Sequence, residues 1–214
     1  MWIFLFDFDG TLAELNIRKI RPELVQDLEE YYKQHGYNIK ITRITRSIER
    51  GPKELRQGAY EILKSYELMQ AEKARVYPYA RETLKWAKQN GKVAIVSLNS
   101  KECILKVLKR YSLLPFIDLI VSRDDVNAIK PSPETIFYAI KKLQGIKDKT
   151  VMIGDSDTDA NAAMNAGIKC IIILRDKNKL DNIMEFKPYK IVENLKEAKE
   201  ILKKLAAPSS KNKN

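Results

Sequence analysis

The sequence predicts an α/β protein, a doubly wound, Rossmann-like parallel sheet with a small helical cap inserted after its first strand. Three observations predict it. Short apolar, β-branched runs recur along the chain without polar alternation, as strands buried on both faces do. Amphipathic stretches with helix-boundary residues separate them, and strand–helix alternation implies right-handed crossovers onto a parallel sheet. Over residues 14–75 the strand-like runs stop and only helical signals remain, which marks an insert.

The first run, Trp2–Phe6, is followed by the insert. Helix signals there cover Pro22–Gln34, Thr42–Arg50 and Pro52–Ala74, with Gly36 and Gly51 as stops. Pro78 then precedes a helix through Lys88 that Gly91 ends, and Val93–Val96 is the next strand. Asn99 or Ser100 caps a helix through Arg110, and Leu119–Val121 follows as a strand. Pro133 opens a helix ending near Gly145, and Val151–Ile153 is the next strand. The helix Asp157–Ala166 stops at Gly167, a good residue for the left-handed turn after a helix. Cys170–Leu174 and a weaker run, Tyr189–Val192, complete the strands, and Asn194 caps the last helix. The expected division is a Rossmann-like core over 1–13 and 76–207, a helical cap over 14–75, and a disordered tail over 208–214.

Composition narrows the function classes. A chain of 214 residues suits one domain, or one domain with an insert, and 44% hydrophobic with 31% charged residues is globular. No apolar run reaches the length of a membrane span. The first apolar stretch has no basic segment before it, so no signal peptide is expected and the cytoplasm is the expected compartment. Two cysteines, Cys103 and Cys170, exclude a disulfide framework and a four-cysteine zinc site, and the single His35 excludes a multi-histidine metal site. The formal charge is +11, but lysines alternate with glutamates on helical segments such as Glu193 to Lys204. That reads as solvated helix surface, so neither nucleic acid nor membrane is the expected partner. A small-molecule substrate and a monomer or homodimer are expected.

Four strand ends carry the chemistry, and in sheets of this kind the ligand crevice lies at the carboxyl ends of the strands. After the first strand comes Asp7-Phe8-Asp9-Gly10-Thr11-Leu12. Two carboxylates at i and i+2 share one side of an extended segment, and like charges that close call for a cation; oxygen ligands suit Mg²⁺. Ser97-Leu98-Asn99 offers a hydroxyl, a backbone N–H and an amide to cradle a phosphate. Lys130, in Lys130-Pro131-Ser132-Pro133, offers a point charge to a phosphate or a neighbouring carboxylate. Gly154-Asp155-Ser156-Asp157-Thr158-Asp159 adds hard oxygen ligands at another strand end, with Asp157 read as a solvated loop residue.

With these four motifs in this order the chain resembles the haloacid dehalogenase-like hydrolase superfamily, in its phosphoglycolate phosphatase and β-phosphoglucomutase-like branch. The resemblance covers about residues 1–13 and 76–192 and includes Asn161-Ala162-Ala163-Met164-Asn165-Ala166-Gly167. It implies that Asp7 is the nucleophile and Asp9 the general acid/base. It implies Mg²⁺ as cofactor, held by Asp7, Asp9, Asp155 and Asp159, the last directly or through water. Ser97 and Lys130 match the phosphate-binding pair, and Asn99 and Thr11 are further phosphate-binding candidates. The expected activity is Mg²⁺-dependent hydrolysis of a small phosphomonoester through an aspartyl-phosphate. A phosphomutase would share all four motifs and differ in the insert, where His35 and Lys40 lie. A non-catalytic binding module for nucleic acid or protein is the alternative from another class, and it has no use for both Asp7 and Asp9.

The insert is where a leaving group would be read. Arg43, Arg46 and Arg50 fall at i, i+3 and i+7, one face of a helix. Ile41, Ile44 and Ile48 lie on a neighbouring face and would anchor it. The arginines are candidates for holding a second anionic group of the substrate.

Overall fold

In the computed structural model, which describes residues 1–207, six parallel strands form one sheet. In chain order they and the other elements are β1 (Trp2–Phe6), β2 (Ala13–Glu14), α1 (Arg21–Gln34), α2 (Ile44–Arg50), α3 (Arg56–Lys73), β3 (Arg75–Val76), α4 (Ala80–Asn90), β4 (Gly91–Val96), α5 (Lys101–Arg110), β5 (Leu119–Val121), α6 (Glu134–Lys142), β6 (Thr150–Gly154), α7 (Asp157–Ala166), β7 (Lys169–Ile173), α8 (Leu180–Met184), β8 (Lys190–Val192) and α9 (Leu195–Ala206). The sheet order is β5-β4-β1-β6-β7-β8. The expected tail, 208–214, lies outside the described residues.

Strand β1 shows why these runs contain no polar residues. Its side chains alternate between two buried layers: Phe4 and Phe6 pack with α4, α5 and α9, and Ile3 and Leu5 with α6 and α7. All four are fully buried. Each such side chain contributes roughly 1.5–3 kcal/mol by leaving water. Its neighbours are β4 (Phe4 opposite Val93) and β6 (Phe4 opposite Val151), so both of its edges are paired.

Two helices end with the expected local chemistry, whereas Ser100, the boundary residue of α5, makes no side-chain capping bond. Ser156 caps α7 by accepting from the Asp159 N–H while the Asp159 carboxylate accepts from the Ser156 N–H, and Gly167 closes the helix at φ 68°. Asn194 caps α9 by accepting from the Glu197 N–H. Gly91 opens β4 rather than merely ending α4. There is no room for a side chain there, since a Cβ would stand 2.3 Å from the Trp2 carbonyl oxygen.

Between β1 and α4 lie α1, α2 and α3, which share a separate apolar cluster of Leu24, Leu28, Tyr32, Ile48, Ala59 and Leu63 among others. The chain leaves for these helices and returns through β2 and β3, paired antiparallel with Ala13 opposite Val76. This ribbon has no counterpart among the sequence expectations. Helix α2 begins at Ile44, two residues later than expected, so Arg43 is its extended N-terminal boundary residue rather than part of its face.

Candidate active site

Asp7 follows β1 directly, and its N–H donates to the Ile153 carbonyl at 2.8 Å, which fixes it at the carboxyl edge of the sheet centre. From the loop before α6, Lys130 reaches it across 123 positions of sequence. The Lys130 ammonium donates to Asp7 Oδ1 at 2.7 Å, to Asp159 Oδ1 at 2.6 Å and to the Val96 carbonyl at 2.9 Å. Its three protons are thus all committed. Burial alone would lower the Lys130 pKa, but the Asp159 and Asp7 carboxylates beside it prevail and raise it.

Asp7, Asp155 and Asp159 offer oxygens within 4.8 Å of one another. Burial pushes the Asp7 carboxyl well above the ordinary carboxylate range, against the pull of Lys130, and Asp159 and Asp155 add to the rise. Burial also raises the Asp155 carboxyl, with Asp159 adding to it and Lys179 opposing it from 3.1 Å. Three carboxylates thus face two ammonium groups in a buried setting, and such crowding favours a further cation. The donors fit a hard divalent ion, being all oxygen. Asp159 is the most encumbered of the three: Lys130 holds Oδ1, and Ser156 donates its hydroxyl to Oδ2 at 2.6 Å. Gly10, at φ +91°, lets the first loop pass this close, because a Cβ there would stand 2.5 Å from the Asp155 carboxylate carbon.

Asp7, Asp9, Ser97, Asn99, Lys130 and Asp155 all line one cavity of about 630 Å³. Asp9 stands at its wall with Oδ1 accepting from the Leu15 N–H at 2.9 Å. Ser97 Oγ donates to Asn99 Oδ1 at 2.9 Å and accepts from the Asn99 N–H at 3.2 Å, so the two residues form one compact turn.

The structure departs from the sequence expectations at several residues. Thr11 is not part of the cavity wall; its side chain is fully buried and its hydroxyl has no partner. Asp157 is the first residue of α7 rather than a loose loop position, and Arg43 bonds to it at 3.0 Å. That pair is exposed, so it contributes at most ~1 kcal/mol. Arg43, Arg46 and Arg50 do border a second cavity, of about 250 Å³, between α2 and the Ile129–Pro131 loop. Leu98, Lys130 and Thr158 are common to both cavities. His35 and Lys40 line neither of these two cavities, and His35 Nδ1 lies 2.8 Å from the Tyr31 carbonyl on its own helix end.

Sequence reasoning missed Arg175 and Lys179, both on the wall of the larger cavity. Arg175 donates to the Gly10 carbonyl at 2.7 Å and stacks over the Tyr77 ring. Burial raises the Tyr77 hydroxyl pKa to about 12. The signal was present: both lysine and arginine follow the Cys170–Leu174 run, so the strand-end rule that found the other four loops points to this one too.

Comparison with known proteins points to one family. The sequence model of the haloacid dehalogenase-like hydrolase family matches residues 4–173. A pyrophosphatase PpaX of Halalkalibacterium halodurans is 31% identical over 191 residues, covering 86% of this chain and 88% of its own. A phosphoglycolate phosphatase of Aquifex aeolicus is 30% identical, covering 85% and 89%. Among solved structures, a hydrolase from Pseudomonas syringae shares the fold with a TM-score of 0.74 at 24% identity, covering 95% of this chain and 99% of its own.

Proposed function

Since the chain belongs to the haloacid dehalogenase-like hydrolase family, we propose that it is a Mg²⁺-dependent phosphatase that hydrolyses a small phosphomonoester through an aspartyl-phosphate. The observation that carries this reading is the Asp7–Lys130 contact at 2.7 Å on the wall of the large cavity, inside a cluster of carboxylates.

Asp7 Oδ attacks phosphorus, and the bond from phosphorus to the leaving oxygen breaks in line. Asp9 protonates that oxygen as it leaves, so the first product departs as an alcohol or acid. Water then attacks the phosphorus of the aspartyl-phosphate, Asp9 takes up its proton, and the Asp7 carboxylate leaves with inorganic phosphate released. Leu15 holds the Asp9 carboxylate at the wall for both transfers. Lys130 opposes the effect of burial on the Asp7 carboxyl and offsets the repulsion between two anions as they meet. Ser97 and Asn99 receive the transferring phosphoryl oxygens. Asp7 and Asp155 would hold the ion, with the Asp9 carbonyl as a further ligand and Asp159 supporting them directly or through water. Bound there, Mg²⁺ would supply charge neutralisation at the phosphoryl oxygens.

The direct test is a phosphate-release screen over phosphomonoesters with Mg²⁺. A time course with a sugar 1-phosphate separates the two activities that share these motifs. Free phosphate marks a phosphatase, and an isomer without release marks a mutase.

Metal dependence has two readouts. EDTA is expected to silence turnover and Mg²⁺ to restore it, with Ca²⁺ binding but supporting little rate because its larger, looser shell fits in-line transfer poorly. Mg²⁺ is also expected to raise the thermal midpoint of the metal-free protein, since it binds the folded state alone. Equal rates with and without chelator, and a midpoint indifferent to Mg²⁺, would remove the metal from the reading.

Arg46 and Arg50 select the substrate in this scheme. Both border the smaller cavity, which Lys130 also lines. The names of the two relatives, a pyrophosphatase and a phosphoglycolate phosphatase, each denote a substrate with a second anionic group. Arg46→Ala or Arg50→Ala is expected to raise KM for such a substrate about tenfold, the loss of one charge-assisted hydrogen bond. A small aryl phosphate should be hydrolysed with nearly its original KM. Equal losses on both substrates, or none on either, return these arginines to the solvated surface.

A further inference from the structure

A buried ion pair lies outside the transfer chemistry and touches it at one place. Glu67, near the middle of α3, is only 2% exposed. Its Oε1 accepts from Arg123 at 2.6 Å and from Asn99 Nδ2 at 3.2 Å, and its Oε2 accepts from the Ser100 N–H at 3.0 Å. Arg123, in the turn after β5, also donates to the Leu98 carbonyl at 2.9 Å. Glu67 and Arg123 together therefore grip three consecutive residues of the loop that carries Ser97: Leu98, Asn99 and Ser100.

The pair also reaches back into the insert. The Arg123 guanidinium lies over the Tyr60 ring at 5.0 Å, and the Tyr60 hydroxyl donates to Glu49 at 2.6 Å. Glu49 belongs to α2, the helix that bears Arg46 and Arg50, and Arg56 pairs with it. A continuous run of contacts thus joins α2 to the Ser97 loop through Tyr60, Arg123 and Glu67.

We propose that Glu67 and Arg123 are positioning residues for phosphate recognition: they fix the Ser97–Ser100 loop, and with it the anion cradle, relative to the insert. This rests on the reading of Ser97 and Asn99 as the phosphate cradle. The chemistry is directional. A carboxylate only accepts, so it takes the Asn99 Nδ2 and leaves Asn99 Oδ1 facing the Ser97 hydroxyl. The amide is thereby held in one of its two orientations, and the Ser97 hydroxyl with it. Burying an ion pair is a poor way to gain stability, because apolar residues of similar volume often serve as well. Orientation of the loop is what such a substitution would lose.

The test uses the full chain and inorganic phosphate as probe, by calorimetry with Mg²⁺ present, beside steady-state kinetics. Glu67→Met with Arg123→Met removes both charges together and is expected to fold with a thermal midpoint close to the parent's. Its Kd for phosphate and its KM should rise about tenfold, the equivalent of one lost charge-assisted hydrogen bond, with a smaller change in kcat. If the parent binds phosphate and the double variant binds it equally well, the positioning role is overturned and the phosphatase reading stands. If the parent itself does not bind phosphate with Mg²⁺, both fall. Should the double variant not fold, Glu67→Gln decides. Its amide offers a donor where only acceptors stood, so Asn99 can reverse, and Kd should rise in the same direction; an unchanged Kd overturns the proposal.

Discussion

Asp7→Asn is expected to abolish turnover, by on the order of 10⁴-fold or more, because an amide cannot attack phosphorus and the nucleophile acts before any other group. The fold should survive. The amide keeps the carboxylate's shape, and the Asp7 N–H still donates to the Ile153 carbonyl. Lys130 keeps its contacts with Asp159 and Val96. A buried negative charge that stands near Asp155 and Asp159 is removed. The thermal midpoint without metal should therefore hold or rise, measured by calorimetry or dye binding. Retained phosphate release in a preparation shown to be free of the parent enzyme would overturn the assignment of Asp7.

Lys130→Met is expected to be the most damaging substitution for stability as well as for rate. It leaves Asp7 and Asp159 buried with no cation between them, a loss of about 3–5 kcal/mol. In a chain of this size that lowers the thermal midpoint by roughly 10 °C. The two variants thus differ in sign: removing the anion relieves the site and removing the cation burdens it. Lys130→Met combined with Asp7→Asn should regain part of the lost midpoint while remaining inactive. A midpoint for Lys130→Met within a degree or two of the parent's would show that the carboxylates protonate or find water at little cost.

The sheet was legible because its strands are buried on both faces. Trp2–Phe6 and Leu119–Val121 begin and end where their apolar runs do, and the others differ by one or two residues. The ribbon Ala13–Glu14 with Arg75–Val76 was not, since two residues carry no period. Helix α8, five residues long, is also too short to show one. Strand-end motifs exposed the carboxylates and Lys130, because the crevice position follows from the sheet alone. Glu67 and Arg123 were hidden for the opposite reason. Glu67 sits in a charged amphipathic stretch that reads as solvent-facing, and its burial depends on a partner 56 positions away. Thr11 was misplaced because motif membership says nothing about which way a side chain turns.

The place of β1 in the sheet bears on how the chain is made. It precedes both of its partners in the chain, pairing on one edge with residues 91–95 and on the other with residues 150–153. During synthesis Trp-Ile-Phe-Leu-Phe must wait with both edges bare until those segments leave the ribosome. Unpaired apolar strand edges are what chaperones bind and what aggregates recruit. The insert emerges in that interval, with its own apolar cluster of local helices available to fold first. The candidate site therefore comes together late: Asp7 meets Lys130 only after a further 123 residues have been translated.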